Sequence, residues 1–491
     1  MALLVSALRA LADKVPVTRL KLSLSPAPLE SDLQQKVHAL LLYLNKNPAV
    51  SFKALPVPAP VRVDTKAYGE TTVGAPFLGR IIQSYTLNFG PQHPAAHGIL
   101  RILLQTAGEA IQRADPQFGL LHRGSEKLME ARNAVQSLPY FDRFDYVANF
   151  YQEHSYCLAV EALHASAIYL PVQVVMLRTF FDELNRVGNH LLTLSAVCMD
   201  MGAMGPMFWA FEEREQLMEF FERVSGARMH TALYRPFSLD ESAMTRNFYR
   251  DVARFLNRSA RALSGAFLGL LNNRSLKSRF ASIGQLTAAK LQGYGITGVI
   301  ARSGGWASDL RLQKQAGYGA YTNISFRTFL GRRGDNLDRF LLRVKETVES
   351  LRVLAQLTRS LSPSLASPVR LPRSFNLSAA PAALLRSESM PSPSSGRGRF
   401  SGMEELISHF RESSEGWPTK PGLAYREVES PKGLVGVFAV MDGSSRPARI
   451  KLRTPVAHNL HLIPVFSMGT VFADFVATFC SLDVVLGEID R

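Results

Sequence analysis

Residues 177–194, LRTFFDELNRVGNHLLTL, follow Pro171 and set the class of the fold. Their large apolar residues return at steps of three and four, which places those side chains on one face of an α-helix. The apolar positions are Leu177, Phe180, Phe181, Leu184, Val187, Leu191 and Leu194. Proline is well tolerated in the first turn of a helix, so Pro171 marks where this one begins. The stretch therefore predicts a long helix with one buried face.

Three more helices are predicted further along the chain. One spans about 210–224 and ends before Gly226, because glycine suits the left-handed cap that closes many helices. The others span about 246–271 and run from Asp335 to about 360. Apolar stripes of this kind are more often plain core than cofactor-binding surfaces, so together they predict a packed helical bundle.

Segments rich in β-forming residues lie near both ends of this bundle. Residues 80–89 and 99–106 predict antiparallel strands joined by the long connection 90–98. Residues 434–441 and 449–453 flank a turn sequence and predict a β-hairpin, which precedes a last apolar helix over 469–482. The predicted fold class is therefore α+β: a helical-bundle core with small antiparallel β elements near both ends.

Composition divides the chain into five regions. The five regions are an N-terminal extension (1–75), a β-rich region (76–119), the helical core (120–361), a Ser/Pro-rich insertion or linker (362–402) and the C-terminal hairpin and helix region (403–491). Within the first region, residues 1–24 have leucines on one helical side and several basic residues. This pattern fits either a mitochondrial targeting segment or an ordinary amphipathic helix.

Charge and cysteine content limit the classes of function. The formal net charge of +15 is compatible with nucleic acid, an anionic membrane surface or acidic partner subunits. The sequence has no zinc-finger spacing and no short Lys/Arg-rich run, which argues against nucleic acid. Its three cysteines, Cys157, Cys198 and Cys480, lie too far apart for a CxxC pair or a four-thiolate cluster site.

One window resembles a membrane span in length. Residues 191–211 are largely apolar, but the second half of the window contains Asp200, Gly202, Gly205 and Pro206. A charge and helix-breaking residues at that place disfavour a transmembrane helix. The window instead predicts an apolar helix that runs into a buried loop.

The segment 90–98, GPQHPAAHG, is a Gly/Pro-bounded loop with two histidines, His93 and His97. Three roles are open to these side chains: metal ligands, acid/base groups or ordinary surface residues. Metal binding requires further ligands, and neither a cysteine nor a third histidine lies nearby in sequence.

Two further segments combine charged side chains with apolar surroundings. Residues 138–146, LPYFDRFDY, indicate either a sharp turn that aims side chains into a cleft or a capped helix start with aromatic residues in the core. Residues 199–206, MDMGAMGP, place Asp200 within an apolar run, where a buried carboxylate has to be paired or protonated.

These segments resemble the 49-kilodalton subunit family of NADH:ubiquinone oxidoreductase, respiratory complex I. The resemblance covers about 83–360 and 403–491. The motifs that carry it are 90–98, His122-Arg123-Gly124, 139–146, 200–205, 211–215, 222–230, Arg333-Gly334-Asp335, Pro431-Lys432-Gly433, 442–447 and the ending 487–491. Many long motifs in the family's order make this a specific signal.

The resemblance implies a fold similar to the large subunit of nickel–iron hydrogenases, without the metal of that enzyme. A hydrogenase needs thiolates at both ends of this domain, and here the first loop offers histidines while the C-terminal stretch offers only Cys480. No cofactor is therefore expected on this chain. Two alternatives stay open: a subunit of a membrane-bound hydrogenase relative that uses another acceptor, and a scaffold subunit with a decayed site.

In the family, a quinone headgroup occupies the vacated cavity. The resemblance assigns His97 and Tyr146 as hydrogen-bonding groups at the two quinone oxygens, with Asp200 pairing with that histidine. His93 and Gly98 belong to the same quinone loop. This set makes chemical sense, because a doubly reduced quinone in a dry cleft needs two protons, and His and Tyr can each supply one.

Three other positions match residues beside the terminal 4Fe-4S cluster, which a neighbouring iron–sulfur subunit holds in the family. They are Arg143, His230 and Arg123. The implied partners are that subunit, other peripheral-arm subunits and membrane-arm subunits near the point where ubiquinone enters. The implied location is peripheral, on the matrix side of the mitochondrial inner membrane.

The chain departs from the family at Thr470, where the usual residue is histidine, and its 362–401 insertion is longer.

Overall fold

The structure is a computed structural model that describes residues 76–77, 80–81, 84–93, 98–164, 170–239, 244–313, 318–364 and 403–491. The predicted N-terminal extension, most of the predicted insertion, and His97 lie outside the described residues.

Helices make up most of the described chain between the two β-rich ends. The helices are α1 (Ser125–Met129), α2 (Leu138–Asp142), α3 (Asn149–Leu163), α4 (Val172–Asp200), α5 (Met204–Ser225), α6 (Arg246–Asn272), α7 (Arg274–Phe280), α8 (Ala288–Gly293), α9 (Gly298–Ser303), α10 (Asn336–Ser364), α11 (Met403–Ser414), α12 (Pro455–Leu460), α13 (Ile463–Ser467), α14 (Phe472–Ser481) and α15 (Leu486–Asp490). None of these helices is long and apolar enough to cross a membrane, a finding confined to the part of the chain that the structure describes.

The strands pair in small antiparallel sheets. They are β1 (Pro76–Phe77), β2 (Arg80–Ile81), β3 (Ser84–Phe89), β4 (Arg101–Ala107), β5 (Ala110–Gln117), β6 (Tyr234–Arg235), β7 (Ser238–Leu239), β8 (Gly422–Ser430), β9 (Gly433–Met441) and β10 (Pro447–Arg453). The two larger sheets have the strand orders β3-β4-β5 and β10-β9-β8. The predicted α+β class and the antiparallel pairing at both ends are confirmed.

Helix α4 organises the bundle, as its apolar stripe predicts. Pro171 occupies the N-cap position of the helix, and the predicted apolar face of the helix is fully buried. The helix packs against α5, α10 and α14, and the buried side chains of these helices belong largely to one continuous core. Burial of such a stripe is the main source of helix stability in a globular protein, since isolated helices are marginal in water.

The turn between α4 and α5 differs from the sequence prediction. The second half of the 191–211 window was expected to form a buried loop, but α5 already begins at Met204, Gly202 is exposed and its two neighbours are only half-buried. The connection is short because the Ala203 N–H donates to Cys198 O at 2.9 Å and closes the end of α4. Helix α5 consequently begins earlier than predicted, although it ends at Gly226, which has a φ of 77° as the cap requires.

The β-rich region near the start of the described residues contacts the C-terminal region. The Ile111 N–H in β5 donates to Thr470 O at 2.9 Å, and the Gly469 N–H donates to Ile111 O at 2.8 Å. The second core cluster accordingly joins β3, β4 and β5 to α12, α13 and α14. This contact fixes the C-terminal helix α14 beside the end of α4, where Asp200 lies.

Candidate functional site

Tyr146 sits in the sharp turn between α2 and α3 and is half-buried. The carboxylate of Asp145 accepts hydrogen bonds from the backbone N–H groups of Val147 and Ala148, both at 3.1 Å. The Nζ of Lys432 donates to both oxygens of the same carboxylate, at 2.9 and 3.1 Å. Asp145 therefore holds the turn from within the core, and the turn sets the direction of Tyr146.

A cleft that is partly open to solvent lies beside Tyr146. Its walls combine apolar side chains with amide and guanidinium groups, and a few polar groups in an apolar wall can orient a small ligand. The lining residues are Tyr146, Val147, Asn149, Asn185, Gly188, Arg214, Leu217, Met218, Phe221, Arg228 and Met229. The cleft is thus built by the α2–α3 turn, by α4 and α5, and by the segment after α5.

Burial raises the pKa of the Tyr146 hydroxyl, and the adjacent Asp145 carboxylate raises it further. The ammonium group of Lys432 opposes this shift, and Asp483 adds to it. Because the phenol begins near 10, a raised pKa keeps it protonated at neutral pH. Tyr146 is therefore available as a hydrogen-bond donor in the cleft.

Lys432 lies at the centre of a buried polar cluster behind the turn. Burial alone lowers the pKa of an ammonium group, but here Asp145, Asp483 and Glu488 outweigh burial and raise it. Asn189 of α4 links the cluster, since it accepts from Lys432 and donates to Asp483 at 3.1 Å. The lysine is therefore a fixed positive charge near the phenol.

Lys432 lies within one of the family motifs, but the motif alone does not indicate its role. The signal that was present is the pattern Pro431-Lys432-Gly433, a charged residue between two turn-forming residues just before the apolar stretch 434–441. Asn149 and Asn185, which line the cleft, gave no signal in the sequence.

Asp200 ends α4 and is half-buried. Its Oδ2 accepts a hydrogen bond from the Sγ of Cys480 in α14, at 2.6 Å, and burial together with this carboxylate raises the pKa of the thiol well above its usual range. Asp200 lies twelve residues beyond Gly188 in the same helix, so it is about 18 Å further along the axis than this part of the cleft wall. Asp200 is accordingly not among the residues that line the cleft beside Tyr146.

The loop 90–98, which the resemblance predicts to be the quinone loop, is described only in part. His93 is half-buried, and its ring centroid is 4.5 Å from that of Phe89 in β3. Gly98 is exposed and has a φ of 78°, a left-handed conformation that glycine adopts without strain. His97, the predicted partner of Asp200, lies outside the described residues. Thr470, which replaces the family histidine, donates its hydroxyl to Ser467 O at 2.7 Å within its own turn.

The structure brings Arg143 and His230 together. Both lie close enough to the buried Asp142 to lower the pKa of that carboxyl, whereas burial raises it more strongly. Arg143 is exposed and donates to Pro139 O at 2.6 Å. His230 is half-buried, and its Nδ1 has no hydrogen-bond partner among the residues described. Arg123 is exposed and lies two residues before the first residue of α1.

No group of three or more His, Cys, Asp or Glu side chains within the described ranges has the arrangement of a metal site. The side chains that line the cleft offer it a protonated phenol, guanidinium groups and amide groups. Such groups are able to donate hydrogen bonds to an oxygen-bearing ligand.

Comparison with known proteins supplies the family. The sequence model described as "Respiratory-chain NADH dehydrogenase, 49 Kd subunit" matches residues 200–491. The chain is 42% identical over 412 residues to the NADH-ubiquinone oxidoreductase 49 kDa subunit of Paramecium tetraurelia, which covers 84% of this chain and 100% of the relative.

The chain belongs to the 49-kilodalton subunit family of respiratory NADH dehydrogenase. It is also 41% identical over 414 residues to NADH dehydrogenase [ubiquinone] iron-sulfur protein 2 of Arabidopsis thaliana, covering 84% of this chain and 99% of the relative. The NADH-ubiquinone oxidoreductase 49 kDa subunit of Reclinomonas americana is 40% identical over 415 residues, covering 84% of this chain and 99% of the relative. The resemblance inferred from the motifs is thereby confirmed, and the chain is a subunit of complex I.

Proposed function

We propose that this chain forms the ubiquinone-reduction site of respiratory complex I together with a neighbouring iron–sulfur subunit. The observation that carries the proposal is Tyr146: a half-buried phenol whose raised pKa keeps it protonated, placed at an apolar cleft. A quinone headgroup is apolar on its faces and accepts hydrogen bonds at two opposite oxygens. A cleft with apolar walls and a fixed donor suits such a ligand.

Reduction of a quinone to a quinol consumes two electrons and two protons. The electrons come from NADH by way of the terminal 4Fe-4S cluster, which the neighbouring subunit holds. Tyr146 donates one proton to a quinone oxygen in the cleft. His97, paired with Asp200, serves the other oxygen and has to reach it from the end of α4, since Asp200 lies about 18 Å along that helix from Gly188 in the cleft wall. The phenolate left on Tyr146 lies near the buried ammonium of Lys432, which stabilises a negative charge there until a proton returns.

Arg143 and His230 are proposed to face the cluster of the neighbouring subunit. Positive charge beside an iron–sulfur cluster raises its potential, and a titrating histidine makes that potential depend on pH. The support is that the structure groups these two side chains around one buried carboxyl, on a side of the molecule that also holds exposed Arg228 and Met229. Arg123 is proposed to lie near the same cluster.

The proposed setting is that of the family. The bundle is of the nickel–iron-hydrogenase large-subunit type, the chain holds no cofactor of its own, and ubiquinone is the substrate. Its partners are the iron–sulfur subunit, other peripheral-arm subunits and membrane-arm subunits near the place where ubiquinone enters, and quinone reduction drives proton pumping. The chain lies peripherally on the matrix side of the mitochondrial inner membrane and binds no nucleic acid.

Photoaffinity labelling in the assembled complex tests the placement of the site. A ubiquinone analogue with a photoreactive headgroup should label peptides that contain Met218 or Met229, because both side chains line the cleft beside Tyr146. An excess of unmodified ubiquinone should abolish the label. Labelling confined to other subunits, or labelling here that ubiquinone does not displace, would overturn the placement.

A further inference from the structure

Two buried carboxyl groups lie in contact behind Arg143 and His230. Asp142 is the last residue of α2, Glu153 lies in the second turn of α3, and neither side chain is exposed to solvent. The two carboxyl groups lie within hydrogen-bonding reach of each other. Two ionised carboxylates have no donor between them, so a hydrogen bond there requires a proton on one of the two groups.

The other hydrogen bonds of the pair lead to the same conclusion. The oxygens of Glu153 accept from the Thr231 hydroxyl at 3.0 Å and from the Tyr234 N–H at 2.8 Å. The Oδ2 of Asp142 accepts from the Ala232 N–H at 2.8 Å. The remaining oxygen, Oδ1 of Asp142, is buried and has no donor from any residue that the structure describes. A proton shared between the carboxyl groups satisfies this atom, whereas its absence leaves it unpaired.

The surroundings favour one retained proton. Burial, and then the charge of Asp142, raise the pKa of Glu153 well above its usual range. Cys157 and Tyr234 also lie near Glu153, and burial raises the pKa of each well above its usual range, so both are neutral. Arg143 and His230 lie beside Asp142, and both lower the pKa of its carboxyl group.

We infer that Asp142 and Glu153 hold one proton between them throughout the reaction and present a single negative charge to Arg143 and His230. Through those two side chains, the pair sets the potential of the redox centre that they face. This second step rests on the proposed function, which places the iron–sulfur cluster of the neighbouring subunit there. Asp142 and Glu153 are therefore positioning residues that act through others.

The pair is not a proton source for the cleft. A series of hydrogen bonds does connect the cleft with the pair. Asn185 donates to Asn149 at 3.0 Å, Asn149 donates to the Thr231 hydroxyl at 2.8 Å, and this hydroxyl donates to Glu153. Every donor in the series points toward Glu153, so a proton that left Glu153 for the cleft would have to move against all three bonds. Carboxamide groups, unlike hydroxyl groups, are also poor carriers of protons. The charge of the pair therefore stays constant.

Amide substitutions in the assembled complex test the shared proton. In Glu153→Gln or Asp142→Asn, the amide replaces a protonated carboxyl group of the same shape and supplies the same donor, so the net charge of the pair stays at minus one. Each single variant should leave the midpoint potential of the cluster, followed by EPR during a redox titration, close to wild type. The double variant removes the charge and should shift that potential positively.

The pattern of the shifts separates the alternatives. If both carboxyl groups were ionised, the potential would rise in two similar steps, one for each substitution, and the inference would be wrong. Glu219→Gln is the matched control, because it removes a carboxylate that is 55% exposed and paired with Arg223 at the surface. This variant should leave the potential unchanged.

Infrared spectroscopy gives a readout that does not depend on the cluster. Wild-type complex should show the carbonyl stretch of a protonated carboxyl group that each single variant loses. Retention of that band in both single variants would refute the shared proton. Loss of the band without any shift of potential in the double variant would refute the tuning role and, with it, the placement of the cluster beside His230, while the proton-sharing pair would stand.

Discussion

Lys432 donates to both carboxylate oxygens of Asp145, and both side chains are fully buried. The same carboxylate caps the backbone of the turn that carries Tyr146. A residue from the β8–β9 turn, almost three hundred positions away in sequence, is therefore part of the structure that aims the phenol. The position of the proposed proton donor depends on an ion pair inside the core.

Lys432→Met should lower the amount and thermal stability of the assembled complex. The substitution leaves Asp145 charged and unpaired, and breaking a buried pair in this way costs on the order of 3–5 kcal/mol. Because the pKa of Lys432 is raised in the folded state, its contribution is fully present at neutral pH and is lost only as the pH rises through that raised value. Thermal unfolding of the complex at pH 7 measures the effect.

A double variant separates charge from packing. Lys432→Met with Asp145→Asn removes both charges while the asparagine oxygen can still cap the turn, so stability should return part of the way to wild type. Equal stability of the single and double variants would mean that the ion pair is not what stabilises the turn.

His230→Met should abolish the pH dependence of the neighbouring cluster's potential while electron flow continues. The substitution removes the imidazole ring but keeps much of the volume of the side chain. EPR redox titrations at two pH values provide the measurement, with the exposed His461→Gln variant as control. A pH slope identical to wild type would exclude His230 as the coupled group.

Asp200→Asn should reduce quinone reduction less than loss of the Tyr146 hydroxyl does, because the variant removes a charge behind the site rather than the donor itself. Cys480→Ala is the matched control, since it removes the thiol that contacts Asp200 and leaves the carboxylate in place. Turnover of the control should be near wild type. If both variants lost the same activity, the role of Asp200 would be to hold α14 against α4.

The sequence predicted those elements in which apolar and polar side chains lie on opposite faces. Helix α4 has an apolar stripe and was placed correctly, and Gly226 marked the end of α5 because a left-handed cap requires it. Helix α3 was not singled out, since almost all its side chains are buried on every side and no stripe is visible. The segment after α4 was expected to be a buried loop because its residues are apolar. The connection instead has only three residues, and these are exposed or half-buried.

The candidate site was predictable only where a family motif carried it. Tyr146, Asp200, Arg143 and His230 came from motifs, and their proposed roles remain predictions. The partners that tune them did not, because the contacts of Lys432 with Asp145 form only when distant segments fold together. The Asp142–Glu153 pair is closer in sequence, but two acids eleven positions apart have no pattern that indicates a shared proton.

Tyr146→Phe in fully assembled complex tests the central proposal most directly. Phenylalanine keeps the ring and its packing but removes the only proton that the side chain can donate. Quinone reduction should fall by roughly 10²-fold or more if the hydroxyl acts as a general acid. NADH oxidation by an artificial acceptor that takes electrons upstream should stay near wild type, because the damage is confined to the last step.

Tyr156→Phe provides the matched control for this measurement. Its hydroxyl is buried in the core and donates to Ala134 O at 3.0 Å, so its loss removes a comparable hydrogen bond away from the cleft lining. Quinone reduction per assembled complex should collapse in Tyr146→Phe and persist in Tyr156→Phe. Wild-type quinone reduction in assembled Tyr146→Phe complex would exclude the Tyr146 hydroxyl as the proton donor.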